Sequence, residues 1–377
     1  MTLLSICIPV STPETALTGT VREMLASARS DFELVVGDFT GGRLADLSRL
    51  AGELHDARLR VIAPDVPAEP SQEMSACWNA MIPLARGAWI SVIGAQDHLD
   101  PELAAVIEAV VKRVPDADAL AWGRARYVPP ALRQGQEIAR IATGSRMILP
   151  EQKDLMRGRF YWDHATGLGD CHPGLWHGAV RRDLVERIRA GFSGVDVEGP
   201  APAIDSACKT IMLARRPVFW ERPLSVQGAA TASSGPDAGD TDPPFADFPF
   251  SASTGAAAAA ALAVEAFKRR YGIELDGWED NFIQACVRDC ETADSGERFH
   301  ARKTAYSQAI LAWRGKRGLA AFKPEFKRKP GIPRFQGVRD HHLHFDMAMD
   351  DTQTEADFYR LIDALLFPVQ LLDDKLA

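Results

Sequence analysis

The sequence predicts an α/β fold, a mostly parallel sheet with flanking helices over about the first 125 residues, followed by a mainly helical extension. Two observations carry this. Short apolar runs alternate with segments of helical apolar spacing, the rhythm of βαβ units. Two acids, Asp38 and Asp97, each fall just past the end of such a run. That is where ligands bind in open parallel sheets, beyond the carboxyl ends of the strands.

Taken in order, LSICIPV (4–10) is a buried strand closing on Pro9, and residues 14–29 space Leu17, Val21, Leu25 and Ala28 as a helix does. FELVVGDF (32–39) is a second strand, closed by the turn Thr40-Gly41-Gly42, and residues 43–54 are again helical. RLRVIA (58–63) is a third strand, MSACWNAMIPLA (74–85) a helix ended by Gly87, and AWISVIG (88–94) a fourth strand. PELAAVIEAVVKRV (101–114) is a helix with Pro101 in its first turn, a favoured place for proline. ALAWGRARYVPP (119–130) reads as a strand and turn, and residues 131–170 as irregular. GLWHGAVRRDLVERI (174–188) leads into a helix, GPAPAIDSACKTIMLA (199–214) is a proline-started helix, and PVFWERPLSVQG (217–228) is a strand pair. Residues 229–254 are rich in Gly, Ser, Ala, Asp and Pro, as a mobile loop is. Helices are expected at 256–271, 279–291, 301–314 and, amphipathic, at 354–372. The division expected is a sheet domain over 1–235, a linker over 236–255 and a helical extension over 256–377.

The bulk properties exclude several classes. A chain of 377 residues is long enough for roughly two domains of about 150 residues. The apolar fraction of 46% and charged fraction of 25% are those of a soluble globular protein. A net charge of −8 argues against nucleic-acid binding, which needs a basic surface. MTLLSICIPV reads as a strand rather than a signal peptide, and no apolar run reaches the about 18 residues of a membrane span. The cysteines, Cys7, Cys77, Cys171, Cys208, Cys286 and Cys290, are scattered without a CxxC and read as core thiols of a reducing cytoplasm; Cys286 and Cys290, four apart, could share a helix face, but a zinc role would need more ligands close by. No GxGxxG follows the first strand and no phosphate-binding GxxxxGK[ST] occurs, so neither dinucleotide fingerprint nor P-loop is present. Ser5 and Ser206 have no histidine at a telling spacing, which leaves a serine hydrolase unsupported.

Four stretches fall in one order: SICIPV, FELVVGDFTGG, DARLRVI and WNAMIPLARGAWISVIGAQDHLDP. In that order the chain resembles the family 2 glycosyltransferases, which have the GT-A fold, over about residues 4–235. GLWHGAVRRDLVERI, GPAPAIDSA and RPLSVQGAATASS fit the later part of the same order. The resemblance implies transfer of a sugar, with inversion, from a nucleotide-sugar donor to a glycan or other acceptor hydroxyl, in surface polysaccharide or glycoconjugate assembly. It implies a nucleotide site of Pro9, Asp38, Asn79 and Asp97. Asp38 is equally explained as an Asx cap of its turn, and Asn79 as a surface position.

Two departures matter. Asp97 matches the last acid of the family's Asp-x-Asp motif, where manganese or magnesium would bridge two phosphate oxygens, but the first acid is replaced by Ala95 and the middle position is Gln96. One carboxylate and an amide make a poor site for a hard cation. The family's Pro-Asp pair, source of its general base, is Pro202-Ala203 here. Asp205 is then the candidate base, with Asp196 and Glu198 just upstream. On a helix Asp205 is turned about 200° from position 203; on an extended segment it shares that face. The altered positions leave open an inactive descendant that binds a nucleotide-sugar, glycan or partner protein. They also leave open a metal-independent transferase using Arg86 or the basic run at 323–329.

Other polar features are weighed beside these. In RDHHLHFDMAMDD (339–351), His342, His344 and Asp346 share a face if extended, and His342 and His344 are metal candidates with Asp97. The alternative is a hydrogen-bonded histidine cluster. His98 stands next to Asp97 and is a candidate for metal or phosphate. Trp162, Trp176 and Trp220 are candidates for stacking on sugar rings or for the core.

Overall fold

The structure, a computed structural model, describes residues 2–12, 17–64, 73–133, 135–166, 168, 171–228, 244–251, 253–293, 295–327 and 334–366. The elements run β1 (Leu4–Val10), α1 (Leu17–Leu25), β2 (Phe32–Asp38), α2 (Ala45–Leu54), β3 (Leu59–Ile62), α3 (Glu73–Met81), β4 (Trp89–Val92), β5 (His98–Leu99), α4 (Leu103–Arg113) and β6 (Ala119–Tyr127). They continue with β7 (Ile138–Ala142), β8 (Met147–Ile148), α5 (Gln152–Phe160), β9 (Gly178–Arg181), α6 (Arg182–Gly191), α7 (Pro202–Leu213) and β10 (Pro217–Gly228). The last are α8 (Ala256–Arg270), α9 (Glu279–Glu291), α10 (Gly296–Ala321), β11 (Gly337–Arg339), β12 (His342–Asp346) and α11 (Glu355–Leu365). They group into two compact units, residues 1–152, 170–230 and 333–377, and residues 153–169 and 231–332.

The first unit is built on the mixed, mostly parallel sheet that the alternating runs predict. Among the described residues its order is β3-β2-β1-β4-β9-β6-β10-β5, with β8 on β10. β3, β2, β1 and β4 are parallel neighbours. β9 runs antiparallel between β4 and β6, so β6 and its parallel neighbour β10 keep the direction of β4. β1 is buried at every position because helices cover both faces, which is why its sequence is a continuous apolar run. β1 and β4 pair only from Leu4↔Trp89 to Cys7↔Val92. Ile93 still donates to the Cys7 carbonyl at 3.0 Å, and Val10 accepts from Phe39 on the β2 side. Pro9 shares the parity of Cys7, so its missing N–H faces the gap that opens between β1 and β4. A proline in a central strand is tolerated there because no ladder bond is lost.

Three expectations are corrected. PVFWERPLSVQG is one strand, β10, rather than a pair; its register on β6 slips around Pro223, where the ring removes a donor and a bulge absorbs the irregularity. Part of 131–170 is ordered, since β7 pairs with β12 in a small antiparallel sheet with β11. α11 ends at Leu365, and residues 367–377 lie outside those described. The grouping of the chain also differs from the expected division. Residues 333–366 belong with the first unit, where Phe345, Phe358, Tyr359 and Ile362 form a core with Tyr127 and Val226.

The second unit packs α8, α9 and α10 around Phe245, Phe248, Phe250, Trp278, Phe282 and Phe299. The run FADFPF therefore anchors residues 245–250, part of the expected linker over 236–255, in a core; of the remainder, 236–243 and 252 lie outside the described residues. α10 starts on the Ser295 cap, earlier than expected, and breaks at Gly315, whose φ of 63° only glycine adopts readily.

Candidate functional site

In the order β3-β2-β1-β4 the chain winds one way from β1 and then restarts on its other side with β4. The switch point therefore lies between the carboxyl ends of β1 and β4, where such sheets bind ligands. Pro9 and Val10 close one side and Gly94–Asp97 the other. α3 returns from β3 to the start of β4, so its amino end also lies at this edge. Trp176, half-buried, runs beside the end of β4 and stacks on Trp78 of α3 with centroids 5.8 Å apart. Gly94 carries no side chain because a Cβ would meet Asp97 Oδ2 at 2.9 Å and the Trp176 ring at 3.3 Å.

Asp97 is buried and held by three donors. Oδ2 accepts from Gly94 N at 2.6 Å and from His177 Nε2 at 2.9 Å; Oδ1 accepts from Gly228 N at 3.0 Å. Burial raises the Asp97 pKa, but His177 and the two amides outweigh it and hold the carboxyl below its ordinary value. Behind His177 the chain of bonds continues: Nδ1 lies 2.8 Å from Ser225 Oγ, which accepts from Trp122 Nε1 at 2.9 Å. An indole N–H only donates and a carboxylate only accepts. A hydrogen on His177 Nε2 facing Asp97 and a Ser225 hydroxyl directed at Nδ1 satisfy this series of contacts. This Ser-His-Asp series is sealed in the core, with Ser225 and His177 at 0% and 1% exposure, so it is a brace and not a nucleophile.

The other expected residues are placed as follows. Asp38 ends β2 and caps its own turn, accepting from Thr40 N at 2.8 Å and Thr40 Oγ1 at 2.6 Å. Asn79 is not a surface position: its Nδ2 donates to Val197 O at 2.8 Å, and its Oδ1 accepts from the amides of Asp196 and Val197, both at 3.0 Å. It thereby fixes the segment before α7. Asp205 lies on the helix, buried, where its Oδ2 accepts from Glu198 N at 2.9 Å and pairs with Lys209 Nζ at 3.0 Å. The fully buried Lys209 also meets Glu198 Oε2 at 3.1 Å. Asp196 is tied to Arg189 at 2.7 Å, and burial nonetheless pushes its pKa up. The three candidate bases are thus gathered round two cations.

The structure does not bring the metal candidates Asp97, His342 and His344 together. Among the described residues no three His, Cys, Asp or Glu side chains are grouped to hold an ion. Asp97 is engaged as described, and His342 and His344 belong to β12 in the separate small sheet. There Arg339 pairs across from His342 and Arg140 from His344, and a cationic neighbourhood repels a divalent ion. Burial and Arg140 push the His344 pKa down, and His342 Nδ1 lies 2.7 Å from Asp340 O. His98 is a core residue, packed on the Tyr359 ring and pushed down to about 4 by burial. Arg86 precedes β4, at the opposite end of the sheet from Asp97. Lys323 and Lys327 belong to the second unit, and Arg328 and Lys329 lie outside the described residues. Trp220 is buried in the main core and Trp162 packs on Phe282 in the second unit; Trp176 is half-buried beside the end of β4.

Sequence reasoning missed His177, Ser225, Gly228 and Glu355. Glu355 is 5% exposed at the start of α11, and a Cβ on Gly228 would lie 3.0 Å from its Oε1. Burial, with Asp97 contributing, raises the Glu355 pKa to about 7.

No protein-family model matches the chain. The uncharacterised protein y4gI of Sinorhizobium fredii is 31% identical over 202 residues, which are 51% of this chain and 19% of that protein. The chain thus spans about a fifth of the length of the curated relative it matches. Among solved structures, S. aureus TarS 1–349 in complex with UDP-GlcNAc is 11% identical with a TM-score of 0.45, over 85% of this chain and 83% of that one. The mannosyltransferase PcManGT from Pyrobaculum calidifontis, in complex with GDP-Man and Mn2+, is 14% identical with a TM-score of 0.37, over 84% of this chain and 73% of that one.

Proposed function

We propose that the crevice between β1 and β4 binds a nucleotide-sugar, and that the protein is a GT-A-type glycosyltransferase acting on an acceptor hydroxyl with inversion. The observation that carries this reading is the switch point itself. It brings Pro9, the Asp38 turn and the Gly94–Asp97 loop to one edge, in the order in which the sequence resembles the transferase family. Trp176 stands there as a stacking surface for a base or sugar ring. Asp97 acts as an internal brace that shapes the loop, so the donor's diphosphate is held without a divalent ion at this residue. Calorimetric titration with UDP, GDP and dTDP, repeated with Trp176→Ala, tests the reading. Binding of one nucleotide, weakened about tenfold or more by the substitution, is expected, since a stacked aromatic contributes roughly 1–3 kcal/mol. Silence with all three nucleotides sinks it.

A second reading, a binding protein without turnover, is favoured by one observation. Asp205 is closed onto Lys209 and the Glu198 amide, so the position nearest the family's base is not free to take a proton. Release of nucleoside diphosphate from the bound donor separates the two readings.

A further inference from the structure

The outer face of the small sheet in the first unit gathers two arginines and two histidines from three strands. Residues paired across a ladder share a face. Arg339, His342 and Ala142 stand in one row across β11, β12 and β7, and Gly337, His344 and Arg140 in the next. The other face is turned to the core, where Ala139, Ile141 and Phe345 are buried. On the outer face both arginines are exposed and both histidines half-buried. By strand spacing and rise the two arginine Cα atoms lie about 12 Å apart, on either side of β12, within reach of two long side chains. Each leans towards the other's row. Arg140 Nη2 lies 3.4 Å from His342 Nδ1, and the Arg339 guanidinium lies over the Phe335 ring, 4.0 Å from its centroid. That ring covers Gly337, where a Cβ would meet it at 3.2 Å, and meets the His344 ring edge-on at 5.7 Å. Phe335 thus holds Arg339 and His344 together.

The hydrogen bonds leave this cluster short of acceptors. His342 Nδ1 lies 2.7 Å from the Asp340 carbonyl, which only accepts, so Nδ1 carries the hydrogen. Arg140 therefore faces a second donor. Among the described residues neither arginine is paired with a carboxylate, unlike Arg146, which meets Glu221 at 2.6 Å. The two acids of the hairpin are placed elsewhere. Asp346 Oδ1 accepts from Ala348 N at 2.9 Å, and Asp340 sits with His341 in the turn, both at positive φ. A chain of net charge −8 thus carries a local positive surface that its own carboxylates leave open.

We propose that this face is an oxyanion site, taking a phosphate or carboxylate group over His342 and His344 between Arg140 and Arg339. A planar guanidinium offers two parallel N–H donors to such a group. An anion beside Arg140 supplies the acceptor that His342 does not. The site is separate from the crevice and stands whether or not the crevice binds a nucleotide.

The test uses the full chain with isotope-labelled histidine rings, the signals of His342 and His344 being assigned with His342→Gln and His344→Gln. Sodium phosphate and sodium acetate are titrated separately at constant pH, with ionic strength held level by chloride. Saturable shifts of both signals are expected, with a dissociation constant below about 20 mM for at least one anion. A response to phosphate alone assigns a phosphate ligand; a response to acetate at least as strong assigns a carboxylate. The double variant Arg140→Gln, Arg339→Gln should weaken that affinity about fivefold or more, because the charge-assisted bonds are lost. Shifts that grow linearly without saturating overturn the proposal, as does a smaller loss of affinity in the double variant. Both side chains are exposed; should the double variant not melt cooperatively, the two single variants, each expected to lose part of the affinity, decide the same point.

Discussion

Asp97→Asn separates a brace from a metal ligand by stability alone. The carboxylate accepts three hydrogen bonds, from Gly94 N, His177 Nε2 and Gly228 N. An asparagine of the same shape has one acceptor oxygen. If its amide nitrogen takes the place of Oδ1, it faces the Gly228 N–H. If it takes the place of Oδ2, His177 can answer by exchanging tautomers, with Nδ1–H donating to Ser225, but the Gly94 N–H still faces a donor. In either orientation one buried amide loses its acceptor, at about 1–3 kcal/mol. Loss of the charge from the remaining bonds adds roughly another 1 kcal/mol. The substitution should therefore destabilise the fold by about 2–4 kcal/mol, read by urea unfolding at pH 7 with an unchanged m-value. A carboxylate poised for a metal is instead strained by its own charge, and its amide variant would be neutral or stabilising. Stability within about 0.5 kcal/mol of wild type would refute the brace.

Three further outcomes follow from the same contacts. Lys209→Met strands Asp205 and Glu198 without their buried counter-charge and should cost about 3–5 kcal/mol in the same unfolding assay, whereas a surface ion pair would cost less than 1 kcal/mol. Glu355 and His98 should tilt stability in opposite directions with pH. Glu355, raised from 4.5 to about 7, binds its proton more tightly when folded, so its contribution is lost as pH rises through that window. His98, lowered from 6.5 to about 4, is charged more readily when unfolded, so its contribution is lost as pH falls through that window. Each spans about 3 kcal/mol at most, less after solvent screening, so from pH 4.5 to 6.5 the stability of Glu355→Gln should rise relative to that of the wild type. Finally, all six thiols are buried, with Cys7 and Cys290 pushed up to about 12 chiefly by burial, so a disulfide reagent should label none of them before urea unfolds the chain.

What the sequence disclosed and what it hid divide along the range of the interactions. β1, β2 and β4 are legible because a strand buried on both faces must be apolar throughout, and the Asp38 turn because Asp, Thr and Gly fix such turns locally. The brace was not legible. His177 reaches Asp97 across 80 residues of chain, and its positive φ of 46° comes from a turn that nothing in Leu-Trp-His-Gly announces. The β7–β12 pairing joins segments about two hundred residues apart, and a short strand such as IARIA declares itself only beside its partner. Neither a nucleotide ligand nor a surface position anticipates what Asn79 does, because holding Asp196 and Val197 depends on where a distant loop lands. Glu355 was hidden twice, as an ordinary acid at a helix start and as part of a helix expected to lie in a separate extension.

The most direct test of the central claim, a nucleotide crevice braced by Asp97 without an ion on it, is one pair of calorimetric titrations. The nucleotide that binds is titrated into wild-type protein in EDTA and again in manganese. Dissociation constants equal within about twofold in the two buffers are the expected result. Binding seen in manganese and abolished in EDTA would contradict it, because the ion would then be holding the diphosphate through an Asp97 freed from His177.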